Sequence, residues 1–340
     1  MKNKKTLKNS IIIQLLLPCF FILLILVTAN FHVNAEDEYS GTPATIAHDF
    51  LDIEKSFGAS ERHYQYINSL INKAKKIIAV KKDYSTEEAI KTMLIIHKLL
   101  KDEGFVFKQN FLLSKGLDSK VIDCDTYSAL YISISEIVRL PVIPVYAPNH
   151  SFVRFNFNDG TYINWEPIEG KHFPDSLYIK QLNIHDNSIS EGVYLKSLSR
   201  KEFLGVEYNN IGAYLLSIKK FKEAIPYFDL ALEHYPKFSS AFHNRGSSYY
   251  AIKQTDNAFV DIMAANTLDP NQATTHNTLG DIYFDKKKYL KALDEYTESI
   301  KLDPRNYAPY YSIGLLLKIA NKPEAEEWFK KSEEIKKKYK

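Results

Sequence analysis

The sequence predicts an α+β region followed by an all-α solenoid, the two together preceded by a leader. Three observations carry this reading. Pro236, Pro270 and Pro304 recur every 34 residues, as do Gly212, Gly246, Gly280 and Gly314, and so strict a period marks a stacked helix-turn-helix array. Upstream, helical apolar spacing gives way after Leu140-Pro141 to alternating segments around Asn158-Asp159-Gly160, the pattern of a β-hairpin. At the start, a lysine-rich stretch runs into an apolar one.

That leader comprises residues 1–35. Its first ten residues carry four lysines and no acid, Ile11 to Val27 are almost wholly apolar, and Val33 and Ala35 are the small residues of a cleavage site. The expectation is an exported protein, periplasmic or secreted. Retention of residues 11–27 as a membrane anchor is the alternative, since the run is near the minimum for a span, roughly 17 residues. Losing Lys2, Lys4, Lys5 and Lys8 takes the formal charge from +3 to −1. A near-neutral chain lacks the broad positive field of a nucleic-acid binder. Cleavage would also remove Cys19, leaving Cys124 as the only cysteine. An exported chain with one unpaired thiol points either to reactivity or to a small buried side chain.

Residues 36–200 form the expected first domain. From about Thr45 to Val80 the apolar spacing reads as helical, with Ile46, Phe50, Ile67, Leu70, Ile71 and Ile77 on the apolar face. A second helix opens at Ser85, whose partner Glu88 completes a capping-box pattern, and His97 falls within it as a packed or half-exposed residue. Leu130, Ile134, Ile137 and Val138 mark a third helix, with Asp123 as its candidate cap and Cys124 in its first turn. Unpaired N–H groups and the positive end of the helix dipole favour a thiolate there, while the flanking Asp123 and Asp125 oppose it. His172 and His185 lie in loop-like sequence without metal-ligand spacing, so no metal and no cofactor is expected.

Val142–Tyr146 reads as a short strand whose proline limits its pairing. The hairpin beyond it has two possible registers. A three-residue turn ending at Gly160 places Val153, Phe155, Ile163 and Trp165 on one face and His150, Phe152, Arg154, Asn164 and Glu166 on the other. A two-residue turn destroys that segregation. The favoured register puts Glu166 opposite Phe152, one diagonal step from His150 and within side-chain reach. A lone thiol, a histidine and a carboxylate make a Cys-His-acid nucleophile.

From Asp123 to Pro167 these residues resemble the transglutaminase-like branch of the papain-like cysteine enzymes. The shared features are a cysteine opening a helix, Leu140-Pro141-Val142 after it, a histidine opening a strand and an acid-proline pair closing the next. The resemblance implies a papain/transglutaminase-like α+β domain with Cys124 as nucleophile, His150 as general base and acid, and Glu166 orienting the imidazole. The family usually has aspartate at the last position, so Asn164 is a fallback orienter. The Cys124 backbone N–H would stabilise an oxyanion; Gln109 or Asn110 either supplies a second donor or is simply a polar loop residue.

Residues 201–340 resemble tetratricopeptide repeats in about four units. Tyr208, Gly212, Phe221, Ala224, Phe228 and Pro236 occupy the family positions in the first, and the equivalents recur through Gly246, Gly280 and Gly314. Small residues let paired helices approach, aromatics fill the gaps and proline ends the second helix. The resemblance implies a concave groove for a protein or peptide partner, with Asn209, Asn244, Asn277, Tyr250 and Phe284 expected on its inner face. Two functions follow. The first is an exported cysteine-dependent acyl-transfer enzyme, by amide hydrolysis or transglutaminase-type transfer, whose repeats bind a protein or peptide. The alternative is a catalytically inactive transglutaminase-like scaffold whose repeats mediate protein–protein interaction.

Overall fold

The computed structural model describes residues 44–339. The expected leader, and with it the anchor alternative at residues 11–27, lies outside the described residues. No described helix is long and apolar enough to cross a membrane.

Helix α1 (Ile46–Ile53) and α2 (Glu61–Ile77) occupy the stretch that reads from sequence as helical. A short 3-10 turn and Gly58, at φ +111°, reverse the chain between them, a conformation that glycine adopts without steric cost. Thr45 and Ser60 cap the two helices, each paired with a histidine three residues on, His48 and His63. Helix α3 (Thr86–Asp102) opens on the expected capping box, with Ser85 N donating to Glu88 at 2.9 Å and Glu88 N to Ser85 Oγ at 3.3 Å.

After strand β1 (Val106–Phe107), helix α4 (Leu113–Ser119) and strand β2 (Val121–Ile122), the chain enters helix α5 (Cys124–Ile137). Strands β1 and β2 pair in parallel. Helix α5 is the central element, with residues Thr126 through Ser135 all buried. Its apolar side chains enter the core and its serines serve neighbours: Ser133 Oγ accepts from the Ala47 N–H of α1 at 2.9 Å.

Strands β3 (Val142–Ala147), β4 (His150–Asn156), β5 (Tyr162–Glu166) and β6 (Lys171–Phe173) form an antiparallel sheet in chain order. Pro144 is tolerated because β3 is an edge strand of the sheet; on its outer side the 195–198 segment donates from Leu195 N to Tyr146 O at 2.9 Å and from Leu198 N to Pro144 O at 2.8 Å. Between β4 and β5, Phe157 N donates to Thr161 O at 2.8 Å around the three-residue turn, with Gly160 at φ +85°. The pairing Val153–Trp165 and Arg154–Asn164 is the register that segregates the two faces. The more polar face is nevertheless not open to solvent. Helix α6 (Asp175–Gln181) covers it, with Tyr178 stacked on Phe152 at 4.1 Å. His97 of α3 donates to Pro167 O at 3.1 Å and fixes the β5–β6 link.

Helix α7 (Asp186–Ser190) leads to four helix pairs: α8 (Arg200–Ser217) with α9 (Phe221–His234), α10 (Ser239–Ala251) with α11 (Thr255–Leu268), α12 (Ala273–Asp285) with α13 (Tyr289–Leu302), and α14 (Ala308–Ile319) with α15 (Ala325–Tyr339). Lys219, Lys253, Lys287 and Asn321, again 34 residues apart, take left-handed φ values at the turns within the pairs. The expected boundary at residue 200 falls at the capped start of α8, yet the core runs through it. Phe203, Val206, Tyr235 and Phe238 of the first pairs belong to the same apolar cluster as Phe50 and Tyr146. Phe50 meets Phe203 at 5.3 Å and Tyr146 meets Phe238 edge-on at 5.0 Å. Arg200 adds ion pairs to Asp49 and Glu136, both at 2.6 Å.

Candidate active site

Cys124 is the first residue of α5. Asp123 caps the helix, accepting from Thr126 N at 3.1 Å and from Thr126 Oγ1 at 2.8 Å. Helix α5 lies against β4, so the Ser151 N–H is close enough to the sulfur to favour its thiolate. The next helix residue, Asp125, is half-buried against the same strand. It accepts from Ser151 Oγ and, at 3.2 Å, from Asn210 Nδ2 of α8. One wall of the site therefore comes from the first repeat helix.

His150 opens β4 immediately after the two-residue turn at Pro148-Asn149, where Asn149 has φ +53°. Its Nε2 lies 2.7 Å from Glu166 Oε2. Because a carboxylate only accepts, Nε2 carries the proton, and Nδ1 on the other side of the ring holds the lone pair of the neutral imidazole. Phe152 and Tyr178 flank the imidazole, their centroids at 6.1 and 6.2 Å. Glu166 is buried, and its Oε1 has no protein partner among the described residues.

The electrostatics of sulfur and imidazole differ. Burial pushes the Cys124 thiol well above its ordinary range, and the Asp125 and Asp123 carboxylates push it further, against the Ser151 N–H. Desolvation and the two neighbouring acids, whose opposition is readable in the sequence, together outweigh the helix dipole. Burial by itself would lower His150. The hydrogen bond and charge of Glu166, with the charge of Asp125, reverse that and hold it above its ordinary value. The thiol is thus held protonated, and the imidazole is basic and carboxylate-held.

The other expected residues fall as follows. Asn164 is not the residue that holds the imidazole. Its Oδ1 accepts from Arg154 Nε at 2.8 Å, and its Nδ2 donates to Asp175 Oδ1 at 2.6 Å and Phe173 O at 3.3 Å. Those bonds satisfy the buried Arg154 and tie α6 to the sheet. Asn110 Nδ2 donates to Leu112 O and Val121 O at 3.1 and 2.8 Å, shaping its own loop, and Gln109 is exposed.

In the repeats, Asn209 is buried and accepts from Asn244 at 2.9 Å. Asn277 donates to Asp281 at 3.3 Å and Tyr250 OH to Asp285 at 2.8 Å. Phe284 is half-buried and packs edge-on against Tyr289 at 5.8 Å. Asn209 in particular joins α8 to α10 and is not an open contact residue. Among the described residues, no group of three His, Cys, Asp or Glu side chains is placed to hold a metal.

Three residues of this region have no clear signal in the linear sequence. Asp125 reads as a flanking charge, Tyr178 as part of an unremarked loop, and Asn210 as one more repeat position. They reach the site only because α5, α6 and α8 pack around one strand end.

The C-terminal helix pairs define the class: stacked antiparallel helices repeated at 34 residues. They are tetratricopeptide repeats. The family profiles described as "Tetratricopeptide repeat" and "TPR repeat" match residues 208–238 and 280–318 respectively. Small glutamine-rich tetratricopeptide repeat-containing protein 2 of Mycosarcoma maydis is 29% identical over 111 residues, covering 33% of this chain and 30% of that protein. Hsp70-Hsp90 organizing protein 1 of Glycine max is 29% identical over 137 residues, covering 39% of this chain and 23% of that protein. The chain thus spans less than a third of the length of these curated relatives. Among solved structures, MamA 41-end from Desulfovibrio magneticus RS-1 is 21% identical with a TM-score of 0.36, covering 39% of this chain and 76% of that one. The Sgt2 domain from Aspergillus fumigatus is 22% identical with a TM-score of 0.33, covering 36% of this chain and 82% of that one.

Proposed function

We propose that the protein is a partner-binding repeat scaffold that carries a transglutaminase-like acyl-transfer centre made of Cys124, His150 and Glu166. The observation behind the chemistry is the 2.7 Å His150–Glu166 bond at a strand end packed against the helix that Cys124 opens. Support for partner binding comes from the repeats and from relatives named as Hsp70-Hsp90 organizing proteins. Residues 1–35 support export to the periplasm or beyond.

In the proposed reaction His150 Nδ1 takes the Cys124 proton as the sulfur attacks an amide or ester carbonyl. The Cys124 backbone N–H, at the start of a helix and without an intrahelical acceptor, faces the developing oxyanion. The bond to the leaving amine or alcohol breaks, and His150 returns the proton to it. Water or an amine, deprotonated by His150, then attacks the thioester carbonyl and the thiol is regained. Hydrolysis and transfer differ only in that second nucleophile.

The second reading is a catalytically inactive scaffold of the same fold. It draws on the burial and the two carboxylates that raise the thiol. Iodoacetamide labelling followed by intact mass separates the two. The enzyme requires rapid labelling at Cys124 in the wild type, its loss in Cys124→Ala and slow labelling in His150→Ala. Equal, slow labelling of the wild type and His150→Ala leaves only the scaffold.

A further inference from the structure

Helix α2 ends in a tip that neither the cysteine site nor the repeats use. Between residues 73 and 82 the chain carries Lys73, Lys75, Lys76, Lys81 and Lys82 and no acid. Ile77, the last residue of the helix, is 51% exposed and Val80 is 55% exposed, while Ile78 between them is buried. Two aliphatic side chains therefore stand in water with lysines on both sides of them in the chain.

The tip is held in place from either end. Ile78 is sunk in the core, and beyond Val80 the Lys81 N–H donates to the Tyr84 hydroxyl at 3.0 Å. Tyr84 in turn packs edge-on against Phe155 at 5.3 Å, and the capping box of α3 follows at Ser85. Ile77 and Val80 are thus presented by an ordered segment.

Stability accounts for only some of these residues. Lys75 and Lys76 lie in the last turn of α2, where cations offset the carbonyl end of the helix dipole. Lys73 pairs with Glu103 at 2.6 Å and Lys81 with Glu88 at 2.5 Å. Lys75, Lys76 and Lys82 have no ion-pair partner among the described residues. Asp83, next in the chain, is bound by the side chain of Asn158. Folding gains nothing from leaving Ile77 and Val80 in water. One exposed aliphatic residue is ordinary, but a pair framed by cations matches the boundary between acyl chains and anionic headgroups. A soluble polyanion would use the lysines alone and leave the aliphatic pair wet.

We infer that this tip docks on an anionic lipid surface, with Ile77 and Val80 entering the headgroup boundary and the five lysines facing lipid phosphates. Such docking is reversible, since each lysine near an anionic surface strengthens it only about fivefold. No part of it passes through Cys124, so it stands apart from the acyl-transfer reading.

The test uses the full chain as Ile77→Trp with phosphatidylcholine vesicles that carry brominated acyl chains, with and without phosphatidylglycerol. The emission in excess of the wild type reports residue 77 alone, apart from Trp165 and Trp328 and from any contact made by residues 1–35. That excess should be quenched by the phosphatidylglycerol vesicles and recover in high salt, which screens the lysines. Adding Lys75→Gln/Lys76→Gln/Lys82→Gln should move the titration to about a hundredfold more lipid, the worth of three lysines, with an unchanged thermal midpoint. Equal quenching without phosphatidylglycerol, no quenching with it, or indifference to the triple variant would each overturn the inference. Retention on heparin at a salt concentration that releases the tip from the vesicles would assign it to a soluble polyanion and overturn it as well.

Discussion

The repeat array and the cysteine site show two ways in which a sequence encodes structure. In the array, each helix pair repeats the same local solution. A methyl added at Gly212, Gly246, Gly280 or Gly314 would press on Phe228, Ile262, Tyr296 or Phe329 of the paired helix. Contacts close in sequence therefore write a period that can be read directly. At the site, Cys124, His150, Tyr178 and Asn210 come from four elements, and no spacing announces their meeting. Periodicity reports stacking, whereas chemistry depends on where unlike elements converge.

The largest effect that sharpens this contrast is at the site. His150→Ala should slow Cys124 alkylation at neutral pH by about 10²–10⁴-fold, the range of a positioned general base, with the circular dichroism of the array unchanged. A loss of helicity in parallel would mean that His150 is structural.

The junction between the regions comes next. Glu207 of α8 is fully buried with its carboxyl group against that of Glu54, to which a protonated Glu207 donates. Burial, then the nearby Glu54, raise its pKa well above the ordinary 4.5. The folded state thus holds a proton that the unfolded state releases, so stability falls as pH rises above about 4.5 toward the folded value. Glu207→Gln keeps a donor toward Glu54 without a titrating proton, so it should remove that decline and leave the protein more stable at neutral pH than the wild type. Denaturant titrations at acid and neutral pH check it. An unchanged slope with pH would contradict the account.

A smaller effect belongs to the array alone. Gly280→Ala brings a methyl into the Tyr296 ring, costing about 1–3 kcal/mol of overpacking, less the ~1 kcal/mol by which alanine exceeds glycine in a helix. The thermal midpoint should fall while the alkylation rate of Cys124 stays the same. A change in that rate would show the third repeat to be coupled to the site.

The parts legible in sequence are those fixed by near neighbours. The Ser85–Glu88 capping box, the Asp123 cap and the 34-residue period all follow from contacts a few residues apart or from repetition. The hairpin register was also readable, because a one-residue slip would send Trp165 and Val153 to the wrong face. The stretch from Thr45 to Val80 is helical as its spacing implies, but the break between α1 and α2 is not legible because the apolar spacing gives no sign of the turn at Gly58. The shared core of Phe50, Tyr146, Phe203 and Phe238 could not be foreseen, since each residue has an ordinary place in its own helix or strand. The state of the thiol is left open by the sequence for a related reason. The dipole and the flanking acids were visible, but the desolvation that decides between them is tertiary.

The subtlest effect is also the most direct test of the claim that Glu166 and His150 activate Cys124. The measurement is the pH dependence of Cys124 alkylation in the wild type and in Glu166→Gln. Glu166 holds His150 above its ordinary 6.5, so the wild-type rate should climb through a limb above that pH as the imidazole loses its proton. Without the carboxylate the limb should move to lower pH and the maximal rate should drop. Superimposable profiles, each rising only as the free thiol ionises in the alkaline range, would contradict the account.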